Sequence, residues 1–540
     1  MRHRQQRLAA SCAVASLVLA VFAGTPASAS DDPASPRDEA RLSTAALIER
    51  AVAEGRLSRT RADRYLAYAL TAPALVPATY RSSVPFHGTA LLLELRDRAA
   101  TMRAGPDRAE VRRLLAPDPG SFCDVLSPSP LPDNIQTAHF YIEYSAAALT
   151  ASPDGLDIAD YADSLEHSWQ QEITRFRWWA PPVFSTPPPG GKYHVRIEPT
   201  MAPVLYGFVS SVGKYAGPVG NNPHSPWNDK DADASCMGLN NDYSNFPGTP
   251  RRALDATTAH EFNHSIQFGV GGLSGPSLPD SVFIEGGATW MEDEAYDSSN
   301  DNYNYLWPTF EDDMGEYEDS PYPYWITFRG LTERYGTAVA GGGEDVMQRF
   351  WEYTSRDSAS NLAALNRALQ AEGTTLRAAY HAYAVAVKFN AACGGGYVYP
   401  YCLEEGPQYV NGDGTQTGAG PTEPHGQIDA VGGSLSGQIP DNYALNWVLL
   451  PGSGAYRVTL RNTSAGGSFR MSLACDTGSA IRVRTPAGQA GPGQTINVDT
   501  YATAGCAGRP VAVITNLSQT ASNPASSTAR TYTLQVRTAR

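Results

Sequence analysis

The chain has 540 residues, 42% of them hydrophobic and 18% charged. That length describes about two to four globular domains, and the composition excludes a disordered or collagen-like polymer. Forty-one basic residues against 55 acidic give a net charge of −14. A general nucleic-acid binder needs a basic surface to release counterions, so no nucleic-acid partner is expected.

Arg2, Arg4 and Arg7 precede an apolar run from Ala13 to Phe22, and Ala27-Ser28-Ala29 follows it. This is the pattern of a secretory signal peptide over 1–29, cleaved near Ala29. The run falls short of the roughly 20 apolar residues that a membrane anchor needs. No later stretch qualifies, so a secreted, extracellular protein without a transmembrane segment is expected. Cys12 leaves with the signal. The remaining Cys123, Cys236, Cys393, Cys402, Cys475 and Cys506 are even in number, which in an oxidising compartment suggests disulfides. Local pairing predicts Cys393–Cys402 and Cys475–Cys506, leaving Cys123 with Cys236.

The expected fold class is multidomain α+β. Helix-like spacing of Leu42, Ala46, Leu47, Ala51 and later Leu91 to Leu95 predicts a helical N-terminal region over 30–120, open to reading as a pro-region. Residues 121–405 read as a mixed domain. Strands are predicted at 138–144, 193–197 and 236–239, a helix near 158–176, and mostly helices from 250 to 392. A Gly/Pro/Thr-rich linker is expected over 406–432. Short strands at 444–450, 456–460, 469–475, 481–484, 495–498, 511–515 and 532–536 then predict an antiparallel β-sandwich over 433–540.

One segment stands above the rest: Thr258-Ala259-His260-Glu261-Phe262-Asn263-His264-Ser265-Ile266-Gln267. On a helix, His260 and His264 lie about 40° apart and one turn up, so both imidazoles reach one cation. Glu261 stands about 60° from His264 around the axis, beside the metal rather than on it. That is the zinc-protease arrangement, in which the histidines hold Zn²⁺ and the glutamate handles the proton of the bound water. Thr249 as cap, Pro250 at the first position and Gly269 as stop predict the helix itself. Leu254, Thr258, Phe262 and Ile266 make its buried stripe. Two histidines that merely share a helix are the plainer alternative, but with ten histidines in the chain chance seldom produces the motif.

A catalytic zinc site wants three protein ligands. The best third ligand is Glu285, in Phe283-Ile284-Glu285-Gly286-Gly287-Ala288. Its small neighbours would let this helix press against the histidine helix. Glu292, two turns along the same face, can accept a hydrogen bond from the far nitrogen of a ligand histidine. A solvated face is the alternative for the acidic run Glu292-Asp293-Glu294.

With His260-Glu261-x-x-His264, then Glu285-Gly286-x-Ala288 and an acid seven residues beyond Glu285, the chain resembles the gluzincin metallopeptidases. Over about residues 40–400 it is similar to secreted bacterial metalloproteases of that type. The resemblance implies a zincin-like domain in which His260, His264 and Glu285 hold one catalytic zinc and Glu261 is the general base. It also implies a Tyr or His as second electrophile. Tyr322 and Tyr324, in Pro321-Tyr322-Pro323-Tyr324-Trp325, lie at a suitable downstream position, although with 28 tyrosines in the chain most simply pack. His381 is a thinner candidate, read as a helix-surface histidine. Substrate is expected along a strand edge, with 236–239 as the edge.

Asp229-x-Asp231-x-Asp233 resembles a calcium loop but has Ala234 in place of the needed Gly, so structural calcium there or at 293–301 is the weaker reading. No Gly-x-Ser-x-Gly elbow or phosphate-binding Gly-Lys-Ser/Thr loop occurs. The expected function is hydrolysis of peptide bonds in protein or peptide substrates, by water held on zinc and activated by Glu261. The alternative is a non-catalytic cell-surface binding protein on a zincin-like scaffold, with the sandwich engaging a surface or polysaccharide.

Overall fold

The computed structural model describes residues 42–115, 131–183, 190–211, 221–229, 231–271, 273, 279–306, 321–335, 344–357, 359–418, 420, 422–519 and 528–539. The expected signal peptide, and Cys123 with its expected bridge to Cys236, lie outside the described residues.

The N-terminal region is helical, as expected: α1 (Thr44–Ala53), α2 (Arg59–Thr71), α3 (Thr89–Thr101) and α4 (Pro106–Leu115). Ser43 caps α1, its hydroxyl accepting the Ala46 N–H at 3.2 Å. Ile48, Leu66, Leu70, Leu92, Leu95 and Val111 form a core. That core is completed by Met201, Ala202, Leu205 and Phe208 from the next unit, so the module is sealed only against its neighbour.

The middle unit opens with β1 (Asp133–Gln136), β2 (Phe140–Tyr144), α5 (Ala146–Ala151) and α6 (Ile158–Trp169), which runs on through a π-helical turn at Gln170–Arg175. Asp157 and Asp160 close a capping box at the start of α6. β3 (Tyr193–Glu198), β4 (Gly207–Ser211) and β5 (Ser235–Asn240) complete a sheet in the order β1-β2-β3-β5-β4. The three inner strands β2, β3 and β5 are mutually parallel, while β1 and β4 run antiparallel at the two edges. The edge near the later helices is therefore β4. The expectation of an edge at 236–239 is corrected: β5 lies between β3 and β4 and uses its hydrogen bonds on both sides.

Helix α7 (Pro250–Gly269) crosses one face of this sheet, with Phe262 against Phe140 at 5.6 Å and Tyr193 at 5.9 Å between ring centres. Thr249 caps it and Pro250 opens it, as expected. Its stop differs from the expectation. Gly269 is the last helical residue, and Gly271, with φ +82°, makes the left-handed turn that ends the helix. Helix α8 (Ser281–Ala295) packs on α7. Beyond lie α9 (Trp325–Tyr335), α10 (Glu344–Asp357), α11 (Asn361–Ala371) and α12 (Leu376–Phe389).

Part of the expected linker is folded: α13 (Gly406–Asn411) is followed by Asp413, which accepts from Asn300 at 2.8 Å and pairs with Arg252 at 3.4 Å. All seven predicted C-terminal strands form, together with two that lack a strong pattern, β6 (Gly426–Gln427) and β7 (Ser434–Ile439). The predicted ones are β8 (Ala444–Leu449), β9 (Ala455–Asn462), β10 (Phe469–Asp476), β11 (Ile481–Arg484), β12 (Thr495–Ala502), β13 (Val511–Asn516) and β14 (Arg530–Thr538). They make two sheets, β11-β10-β13-β8-β6 and β12-β9-β14-β7, antiparallel apart from the β6–β8 pair. The two locally predicted disulfides, Cys393–Cys402 and Cys475–Cys506, are present. The architecture is thus mixed α+β, with no helix among the described residues long and apolar enough to cross a membrane.

Candidate metal centre

Helix α7 is buried on every side from Ala256 onward, yet it carries Thr257, Thr258, His260, Glu261, Asn263, His264, Ser265 and Gln267. Buried polar groups need partners, so each of these has to be accounted for. Thr257 and Ser265 turn their hydroxyls back to the carbonyls of Ala253 and Glu261. Thr258 bonds back to the Asp255 carbonyl at 3.0 Å and to the Ser164 hydroxyl of α6 at 2.6 Å, and the others converge on a cluster shared with α8.

His260 Nε2 and His264 Nε2 are 3.0 Å apart, and Glu285 Oε2 lies 3.0 Å from the first and 3.4 Å from the second. Ligands about 2.0–2.1 Å from a tetrahedral zinc stand roughly 3.3 Å from one another, so these three atoms have the spacing of one face of such a tetrahedron. The outer nitrogens show why the inner ones point inward. Gln267 Nε2 donates to Asn263 Oδ1 at 3.0 Å and to the Ile284 carbonyl at 3.2 Å. Its Oε1 therefore faces His264 Nδ1, at 2.8 Å, which fixes the proton there and leaves a lone pair on Nε2. His260 Nδ1 lies 2.7 Å from Glu292 Oε1, the orienting role expected of that carboxylate.

Charge argues the same way. Glu261, Glu285 and Glu292 are all buried, and the groups that act on them include one another, Asp293, Asp301, Thr89 and the histidines. Burial pushes Glu261 above the usual carboxylate range, and pushes Glu292 well above it with help from Asp301. Burial would also raise Glu285, but His264 and His260 outweigh it and hold the group well below. Burial would lower His264, yet Glu285 outweighs that and its pKa is raised. His260, by contrast, is depressed to about 3, by burial first and His87 second. So much buried acid around two inward lone pairs suits a cation. These buried His and Glu groups can hold a metal ion.

The neighbouring glycines do different work from that expected. A Cβ on Gly286 would meet Phe328 at 3.2 Å and the Pro321–Tyr324 turn at 3.3 Å, so Gly286 admits that turn rather than α7. Gly287, with Gln267 at 3.8 Å, is the one that faces α7. The turn brings Tyr322 to the site and Tyr324 elsewhere. The Tyr322 ring lies 6.3 Å from that of His260, whereas Tyr324 packs in the hydrophobic core. His381 is corrected as well. It is buried between α12 and the sandwich, bonded to Thr515 at 2.8 Å and Ser472 at 2.7 Å. For calcium, the only groups of three or more acidic, His or Cys side chains with ligand atoms in mutual reach, among the described residues, are His260–His264–Glu285 and His87–His260–Glu292. Neither Asp229–Asp233 nor the 293–301 run forms one.

His87 was not foreseen. It lies between rings, stacked on His260 at 3.5 Å and on Tyr206 at 4.6 Å, and burial depresses it to about 3. Its Nδ1 meets Glu261 Oε1 at 2.9 Å, and the Thr89 hydroxyl donates to Glu261 Oε2 at 2.8 Å. The Ala90 N–H, in the first turn of α3, donates to Glu285 Oε1 at 2.9 Å. No motif marks this Phe86-His87-Gly88-Thr89 stretch. Gln267, three residues beyond His264 on one helix face, is legible by spacing.

No known protein family and no curated protein matches this sequence. Solved structures with some likeness include those of infectious bursal disease virus strains Gt and Gx. They are 12% and 11% identical to this chain, with TM-scores of 0.11, and each match covers 20% of this chain and 27% of the other. The chain spans about a quarter of the length of those proteins, and the likeness carries no argument about function.

Proposed function

We propose that this chain is an exported zinc metallopeptidase with a zincin-like domain of the gluzincin type. The observation that carries the reading is the convergence of His260 Nε2, His264 Nε2 and Glu285 Oε2 at 3.0–3.4 Å, with Glu261 on the adjoining position of the same helix. His260, His264 and Glu285 would hold the zinc, which would supply an electrophile and make water acidic enough to deprotonate near neutral pH. Glu261 is the general base: it takes the water's proton on its carboxylate and returns it to the leaving amine. Glu292 and Gln267 hold the two imidazoles in register. Tyr322 is the donor for the developing oxyanion, its hydroxyl in the described fold being bonded to the His87 backbone. The two disulfides agree with export.

The test is zinc content and cleavage of casein by the secreted chain, with and without a chelator, alongside Glu261→Gln. Zinc bound, with chelator-sensitive cleavage that the variant loses, supports the assignment. Zinc bound with no cleavage of casein or of a peptide library, in any form of the chain, favours a non-catalytic scaffold.

A further inference from the structure

The edge strand β4 has a partner, and the partner comes from the N-terminal module. Phe86 pairs in parallel with Leu205: the Phe86 N–H donates to the Val204 carbonyl at 2.9 Å, and the Tyr206 N–H to the Phe86 carbonyl at 3.1 Å. Two residues on, the Gly88 N–H donates to the Gly207 carbonyl at 2.9 Å, and the Val209 N–H to the Thr89 hydroxyl at 2.7 Å. A short extended segment thus continues the sheet beyond its edge, as a peptide does when it adds to an open sheet.

Its side chains fill the site. Phe86 is buried with Met201, Ala202, Leu205 and Phe208. His87 covers Glu261 and His260, Thr89 holds the second Glu261 oxygen, and Ala90 holds Glu285. Tyr322 is engaged twice, accepting from the His87 N–H at 3.0 Å and donating to the His87 carbonyl at 3.2 Å. Every group assigned to chemistry, apart from His264, is in contact with this one segment. His260, Glu261 and His264 are all fully buried.

We propose that residues Phe86–Ala90, lying on the β4 edge beside the metal site, act as a built-in blocking ligand. The chain in this form is latent. The site opens when the N-terminal module leaves the edge, and the ligand that replaces it is an extended peptide. The fit is close at Gly88, where a Cβ would stand 3.1 Å from Leu205 Cδ1, 3.1 Å from Phe208 Cβ and 3.2 Å from the Gly207 carbonyl. Gly88 has φ −102°, which any residue can adopt, so a larger side chain there wedges the segment off β4 without straining its own backbone.

The inference rests on the peptidase reading for one of its two readouts only. Full-length wild type, Gly88→Val and His87→Ala are compared for the rate of zinc exchange, with a fluorescent chelator, and for casein cleavage. His87→Ala removes the ring between Tyr206 and His260 and pushes on nothing, so it guards against misfolding of the wedge variant. Exchange at least tenfold faster in either variant, with cleavage rising in parallel, is the expected result. Faster exchange with no cleavage in any form keeps the blocking segment and removes the peptidase reading. Exchange within twofold of wild type in both variants overturns the blocking segment, whatever the chain cleaves.

Discussion

The N-terminal module and the C-terminal sandwich both pack on the middle unit, but they hold it by different means. The sandwich docks on α12 through a broad surface: Trp447, Leu445, Val511 and Val513 join the central core, and the Trp447 indole donates to the Ala384 carbonyl at 3.1 Å. None of these residues touches the His–Glu cluster. The N-terminal module also buries apolar surface, yet its His87, Thr89 and Ala90 reach Glu261, His260, Glu285 and Tyr322. One contact touches only the fold; the other touches the candidate metal centre. A module with only a structural role has no need to put polar atoms on a buried base.

The largest break between the two is expected from Glu261→Gln. Cleavage should fall by about 10²–10⁴-fold, the usual worth of a general base, while zinc stays bound; cleavage rates and metal analysis of one preparation check both. Next come the groups behind the ligands. Glu292→Gln and Gln267→Ala should each weaken zinc by about 10–100-fold, read by competition with a chelator. On the sandwich side the effect moves from chemistry to stability. Trp447→Ala should cost about 3–5 kcal/mol in denaturant unfolding, as for other large-to-small core changes, and leave zinc exchange where it was.

The smallest effect is a pH dependence of the sandwich contact. Burial depresses His381 to about 3, between the Thr515 and Ser472 hydroxyls. The unfolded chain therefore binds a proton there between about pH 6.5 and 3 that the folded chain does not. Stability from this group is complete above about 6.5 and falls as pH drops, by about 1.4 kcal/mol per unit through that window. Denaturant midpoints at pH 7 and 5 check it, and His381→Gln should flatten the slope.

Features carried by local spacing were legible in the sequence. The capped helix with its two histidines, Glu285 and Glu292 two turns apart, the alternating strands of the sandwich and the two short-range disulfides all follow from periods of 3.6 or 2 and from nearby cysteines. Features made by distant segments meeting were not. His87 and Glu261 are 174 residues apart, and Pro-Phe-His-Gly-Thr has no period to read. β4 was passed over because Gly207-Phe208-Val209-Ser210-Ser211 does not alternate. Its Gly207 answers instead to closeness, since a Cβ there would meet Glu261 Cγ and the Gly238 carbonyl at 3.0 Å. The sequence pattern consequently puts the edge at β5, whereas β4 lies outside it. Helix position alone puts His381 at the surface, because Thr515 and Ser472, which enclose it, belong to strands far along the chain.

The most direct measurement is native mass spectrometry of the full-length chain with His264→Ala and Glu261→Gln beside it. One zinc per chain in the wild type, retained in Glu261→Gln and absent from His264→Ala, is the outcome predicted. A wild type that takes up no zinc, or a His264→Ala chain that keeps it, contradicts the metal centre.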